Sequence, residues 1–247
     1  MRGIKQQKAA FIFNLLIVIF TLFATISTIV GFEFMGDVKI LTSTNFHAFK
    51  YFTVDSNVFA GIISFIYIIF ALKISKGKIS KFPKIILILK LAATTGVTLT
   101  MMVTVFFLAP GGESYFSYFM NSNFFMHFFT PVLCIISFIF FEFGYGENSK
   151  ADEEILQSGK NAVQNEQISF LQTLTGIIPM LIYAVFYITN ILLHLENGKV
   201  SHTYDWYGFL KAGLQSMWIV MPLILLITWL FSFLLWLANK KAGEKHV

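Results

Sequence analysis

The chain has 247 residues, of which 56% are hydrophobic and only 13% charged, with 30 phenylalanines and a net charge of +5. A soluble domain of this length carries about twice that charged fraction, so the composition excludes an ordinary soluble enzyme or nucleic-acid binder and indicates a polytopic membrane protein. Its single cysteine, Cys134, lies in an apolar run, which excludes a disulfide framework and a thiolate metal site.

Six runs are long enough to cross a hydrocarbon core of about 30 Å, which takes roughly 20 helical residues. They fall near Ala9–Phe32, Ser56–Leu72, Ile85–Ala109, Phe124–Phe143, Ile168–Leu193 and Leu214–Ala238. The backbone in lipid must satisfy its own hydrogen bonds, and no run alternates apolar and polar residues as a barrel strand does. The expected fold class is therefore all-α, a single domain of six transmembrane helices. The first run follows a charged segment like that of a signal peptide, but it is too long for one and has no clean cleavage site, so it reads as a retained helix.

Fourteen of the 18 basic residues fall at the N-terminus, between spans two and three with Lys90 just inside span three, between spans four and five, and in the tail. Lys39, Lys50, Lys199 and Lys211 are left for the other face. The positive-inside rule then puts both termini in the cytoplasm of a multi-pass cell-membrane protein. The polar connection 144–167 becomes a cytoplasmic loop, with a short amphipathic helix expected around Asp152–Gln157. No internal repeat supports an inverted-repeat transporter.

This topology gathers the chemistry on the outer face. Span two is preceded by K-Y-F-T-V-D-S-N, residues 50–57, and span four opens with N-F-F-M-H-F-F-T-P, residues 123–131. Thr53, Asp55 and Ser56 stand where helix caps belong, and one of them is expected to be a cap. Asn57, a turn deeper, needs a partner in lipid. His127 is flanked only by apolar residues, and an ionisable group inside a span is a functional candidate by default. Pro131, Pro179 and Pro222 are expected to kink spans four, five and six, with Pro131 freeing the His127 carbonyl. Thr94, Thr95, Gly96, Thr98 and Thr100 make a small-residue face on span three, suited to close helix packing.

The remaining groups have plainer readings. His194 ends span five, where a helix C-terminus favours it, while His47 and His202 sit in loops. Tyr204, Trp206 and Tyr207 read as an interfacial aromatic belt, with Asp205 between them either a third polar contributor or a turn residue. No pair of histidines has helical metal-ligand spacing, so no metal site is expected.

Threonine becomes a nucleophile when an imidazole takes its proton. Thr53 and His127, at similar depth on one face, are the candidate catalytic pair. Asn57 is a candidate oxyanion donor, and Asp55 or Asp205 could orient the ring. K-Y-F-T-V-D-S-N, M-H-F-F-T-P-V-L and the six-span plan together resemble the androgen-induced FAR-17a-like family, in its bacterial branch. That resemblance implies an intramembrane threonine hydrolase of fatty acid esters of hydroxy fatty acids, with Thr53 as nucleophile and His127 as base. It implies no cofactor and no nucleic acid; the partners are the bilayer and a lipid substrate entering laterally. The family pattern does not require an Asp at position 55. The competing expectations are a small-solute or proton-coupled transporter using His127, Asn57 and Asp55, against which no acidic residue lies at mid-span, and a non-enzymatic membrane scaffold.

Overall fold

A computed structural model describes residues 2–36, 45–79, 82–111, 114–142 and 168–244. The segment expected to hold a helix around Asp152–Gln157 lies outside the described residues. Among those described, the chain is all-α, and the only β feature is an isolated bridge between Glu196 and Lys199.

Six helices are long and apolar enough to cross a membrane, at Gln6–Val30, Phe52–Ser75, Lys84–Leu108, Ser122–Phe141, Phe170–Leu193 and Leu214–Glu244. They are called the first to sixth spans below, and the protein is an all-α polytopic membrane protein. The third span is its axis: 72% of its most apolar window is buried, against 22–39% in the others. It packs on the second and fourth spans on one side and on the fifth and sixth on the other. Its small-residue face explains this position, since Thr94, Thr95, Gly96, Thr98 and Thr100 are all buried and let neighbouring helices approach closely.

The second span begins earlier than the sequence suggests. Its helix starts at Phe52, Tyr51 takes the extended cap conformation, and no side chain caps it. Thr53, Asp55 and Ser56 are therefore inside the first turns of the helix rather than ahead of it. The reason is tertiary. The Phe52 N–H, which a local cap would serve, donates instead to the Tyr207 hydroxyl at 2.9 Å, from the loop before the sixth span. The Tyr51 carbonyl accepts from the Val54 and Asp55 N–H groups and closes the first turn.

The prolines also act differently from the simple expectation. Ahead of Pro131 the fourth span holds a π-helical turn, Phe125–Phe129, and Pro131 opens the α-helix that follows. The missing N–H is absorbed by this wider turn, and His127 sits within it; such π-bulges recur at functional sites. Pro179 stands at the start of the α-helix Ile178–Leu193, after the 3-10 helix Phe170–Ile177. There its missing N–H costs little, so it marks a change of helix type. Only Pro222 lies within a continuous helix.

Candidate functional site

The first turns of the second and fourth spans lie side by side, and one amide joins them. The Asn57 side-chain nitrogen donates to the Thr53 carbonyl at 2.8 Å and to the Met126 carbonyl at 3.1 Å. Asn57 is fully buried, and the cross-helix bond anchors the residue next to His127 beside the helical turn that starts at Thr53. Both donors of the amide are consumed, while its Oδ1 is buried without a partner. Asn57 thus positions the two helices, and its amide has no N–H left for an oxyanion.

His127 is buried, with Nδ1 at 2.9 Å from the Tyr118 carbonyl. A carbonyl can only accept, so this contact fixes the proton on Nδ1 and leaves Nε2 as the basic nitrogen. Phe119 packs edge-on against the ring. The 3-10 turn Tyr115–Phe119 supplies both contacts. A backbone carbonyl therefore occupies the place that a carboxylate holds in a Ser-His-Asp triad.

Thr53 is likewise buried. Its side chain meets the Tyr207 hydroxyl, which also serves the Phe52 N–H and touches Tyr183. Burial pushes the Tyr207 phenol up to about 12, so it remains a neutral hydroxyl. Among the described residues no hydrogen bond joins the Thr53 hydroxyl to the His127 ring. The structure brings their helices together without pairing the two side chains to each other.

The carboxylates lie elsewhere. Asp205 is buried and accepts from the Tyr187 hydroxyl and, at 3.0 Å, from the Leu210 N–H. It holds the turn that delivers Tyr207. Asp55 lies on a different face of the second span and lines a cavity of about 700 Å³ between the second and fifth spans. Phe52, Phe59, Ile182 and Phe186 make the apolar part of that cavity, and Ser56 also lines it. Ile182 and Phe186 are 54% and 71% exposed on the outside of the bundle, so the cavity opens sideways toward lipid. Lys50 stands at its end, with its ammonium 5.0 Å from the Tyr51 ring centre and 5.6 Å from that of Trp206. The volume is within the roughly 300–1,000 Å³ usual for small-molecule sites.

The other histidines do not converge on this region. His47 and His202 are exposed, and His194 stacks on Tyr204 with centroids 4.0 Å apart. Among the described residues no three His, Cys, Asp or Glu side chains are grouped to hold a metal ion.

Sequence reasoning missed Tyr207 and Tyr118. Tyr207 reads as one more aromatic of a membrane belt, and only its long-range bond to Phe52 reveals it. Tyr118 acts through a carbonyl that every residue possesses, so no side-chain signal exists. In comparisons with known proteins, the chain matches no family model, no curated protein and no solved structure.

Proposed function

We propose that the protein is an intramembrane lipid-ester hydrolase in which Thr53 is the nucleophile and His127 the base. The observation that carries this reading is a buried imidazole with its basic nitrogen left available, packed at the same end of the bundle as a buried threonine. Asn57 bridges the two backbones. The two motifs that resemble the androgen-induced FAR-17a-like family supply the same pair of residues. The lysine distribution supports an orientation with both termini cytoplasmic and this end outward, in the cell membrane.

In the reaction, His127 Nε2 takes the Thr53 proton as Oγ1 bonds to the ester carbonyl carbon. Catalytic hydrogen bonds often tighten only when substrate is bound, and here the Thr53–His127 bond forms at that stage. The neutral Tyr207 hydroxyl, beside the Thr53 side chain, is the donor for the developing oxyanion. The bond to the alcohol oxygen then breaks, and His127 returns its proton to the departing alcohol. Water, deprotonated by the same nitrogen, next cleaves the acyl-threonine to a free acid and restores Thr53. The lateral cavity is lined by Phe52 and Ser56 but by neither Thr53 nor His127, and fatty acid esters of hydroxy fatty acids are the substrates the resemblance suggests.

The test is acid release from such an ester by purified protein in micelles, followed by mass spectrometry. Thr53→Ala and His127→Ala are each expected to lose activity by about 10²-fold or more, the usual scale for a positioned base. Full activity in either variant overturns the assignment.

A further inference from the structure

A second polar centre lies at the opposite end of the first four spans, and the hydrolase reading does not use it. Lys90 and Glu142 are 1% and 2% exposed, with ammonium and carboxylate 3.2 Å apart. The Lys90 ammonium donates to Asn14 Oδ1 at 2.8 Å and to Ser64 Oγ at 3.1 Å, and lies 5.8 Å from the Tyr67 ring centre. Glu142 Oε1 accepts from Asn14 Nδ2 at 2.8 Å and from Ser137 Oγ at 2.6 Å. Asn239 of the sixth span reaches the neighbouring Phe138 carbonyl. Four spans thus meet at one ion pair. Its other oxygen, Glu142 Oε2, is buried with no partner among the described residues.

From this centre, buried polar residues continue along the bundle at seven-residue intervals. The first span presents Asn14, Thr21 and Thr28, the second Ser64 and Asn57, the fourth Ser137, Thr130 and Asn123. The third adds Thr94, one turn beyond Lys90. Contacts confirm that these residues share a seam. Thr21 packs where a side chain on Gly61 would stand, Thr28 donates to Ser122, and Asn57 donates to the Met126 carbonyl. Seven residues rise about 10 Å, so three such layers cover about 21 Å of a hydrocarbon core about 30 Å thick. The middle layer is unsatisfied: the Thr21, Thr94 and Thr130 hydroxyls are buried without partners among the described residues, as is Asn57 Oδ1 at the far layer.

Unpartnered buried polar atoms are sites where internal water binds. Ionisable side chains inside a span, here Lys90, Glu142 and His127, are costly in lipid and usually mark a path or relay. We propose that this seam is a proton path, loaded at Glu142 and ending at the Asn57 and His127 layer. An excess proton binds Glu142 Oε2, while Lys90 keeps its own. Each water and hydroxyl along the seam receives one proton and passes one on, so none is changed, and His127 Nε2 releases the proton. Ile17, Ala60, Val97 and Cys134 form a packed apolar cluster at the depth of the middle layer, which opposes hydrated ions and leaves proton hopping as the carried species. The groups facing Glu142 are Asn14, Ser64, Lys90, Cys134, Ser137 and Asn239. Among the described residues Lys90 is the only charge in this group, and the Cys134 thiol and the nearby Tyr67 are the only other titratable groups.

The test uses full-length protein in liposomes with an internal pH-sensitive dye, under a potassium diffusion potential set by valinomycin. Wild-type protein is expected to acidify or alkalinise the lumen, following the sign of the potential, faster than protein-free vesicles. Glu142→Gln is expected to fall to the protein-free rate. Thr94→Val is the sharper variant. Its hydroxyl has no partner, so a packing role predicts unchanged flux and unchanged or higher stability, whereas a path predicts lost flux at retained stability. Wild-type flux equal to that of protein-free vesicles, or undiminished flux in folded Thr94→Val, overturns the proposal. The outcome is independent of ester cleavage, which is read on the same preparations.

Discussion

The Lys90–Glu142 pair gives the most quantitative expectation. Lys90→Met keeps the length and apolar stem of the side chain and removes the charge. Glu142 then retains hydrogen bonds from Asn14 and Ser137 but has no counter-ion, because Lys90 is its only ion-pair partner among the described residues. Breaking one side of a buried pair costs about 3–5 kcal/mol, since an uncompensated charge stays in a low-dielectric interior. Lys90→Met with Glu142→Met removes both charges, and apolar replacement of a buried pair is often neutral or stabilising, so the double variant should lie within about 1 kcal/mol of wild type or above it. The assay is unfolding in mixed detergent micelles by increasing SDS fraction, followed by fluorescence of the 4 tryptophans. A Lys90→Met variant within about 1 kcal/mol of wild type, or a double variant less stable than the single one, refutes the view of a desolvated pair.

Two further expectations concern the loop that carries Tyr207. The Tyr207 phenol is held up to about 12 by burial, while an unfolded tyrosine ionises near about 10. Below the lower value both states are protonated and Tyr207 contributes no pH dependence; above it the unfolded state ionises first, and stability falls until the upper value is passed. Tyr207→Phe should therefore show a shallower loss of melting temperature over that alkaline window, and identical slopes would contradict the burial of this hydroxyl beside Thr53. Asp205→Asn weakens the bonds from Tyr187 and Leu210 and should cost about 1.5–3 kcal/mol in the same SDS titration, the scale of a charged hydrogen bond. An unchanged midpoint would show that the turn stands without the carboxylate.

The spans were legible because lipid imposes length and apolarity directly on the sequence, and the six runs correspond to the six helices within a few residues. The errors cluster where a partner from far along the chain replaces a local one. The start of the second span was misplaced because Tyr207, 155 residues away, satisfies the Phe52 N–H in place of a cap. Lys90 was counted with the orienting lysines because position near a span end suggests solvent, yet its ammonium is turned into the bundle against Glu142. Glu142 lies one residue from the end of the expected fourth span, Phe124–Phe143, where nothing local marks it as buried. Position along the chain does not reveal the buried acid, while the seven-residue spacing of Asn14, Thr21 and Thr28 is present in the sequence. Thr53, Asn57 and His127 stand out in the sequence as polar groups that lipid must account for, and all three are buried. The use of the Asn57 amide as a bridge, and of the Tyr118 carbonyl as the partner of the ring, depends on backbone atoms that carry no residue-specific signal.

The central claim is that Thr53 is a nucleophile activated by His127. It is tested most directly by treating purified protein in micelles with a fluorophosphonate probe and mapping the adduct by peptide mass spectrometry. The expected result is a single phosphonylated residue at Thr53, absent in Thr53→Ala and formed much more slowly in His127→Ala. Unmodified Thr53 in wild-type protein that cleaves the ester, or labelling elsewhere that persists in Thr53→Ala, would contradict it.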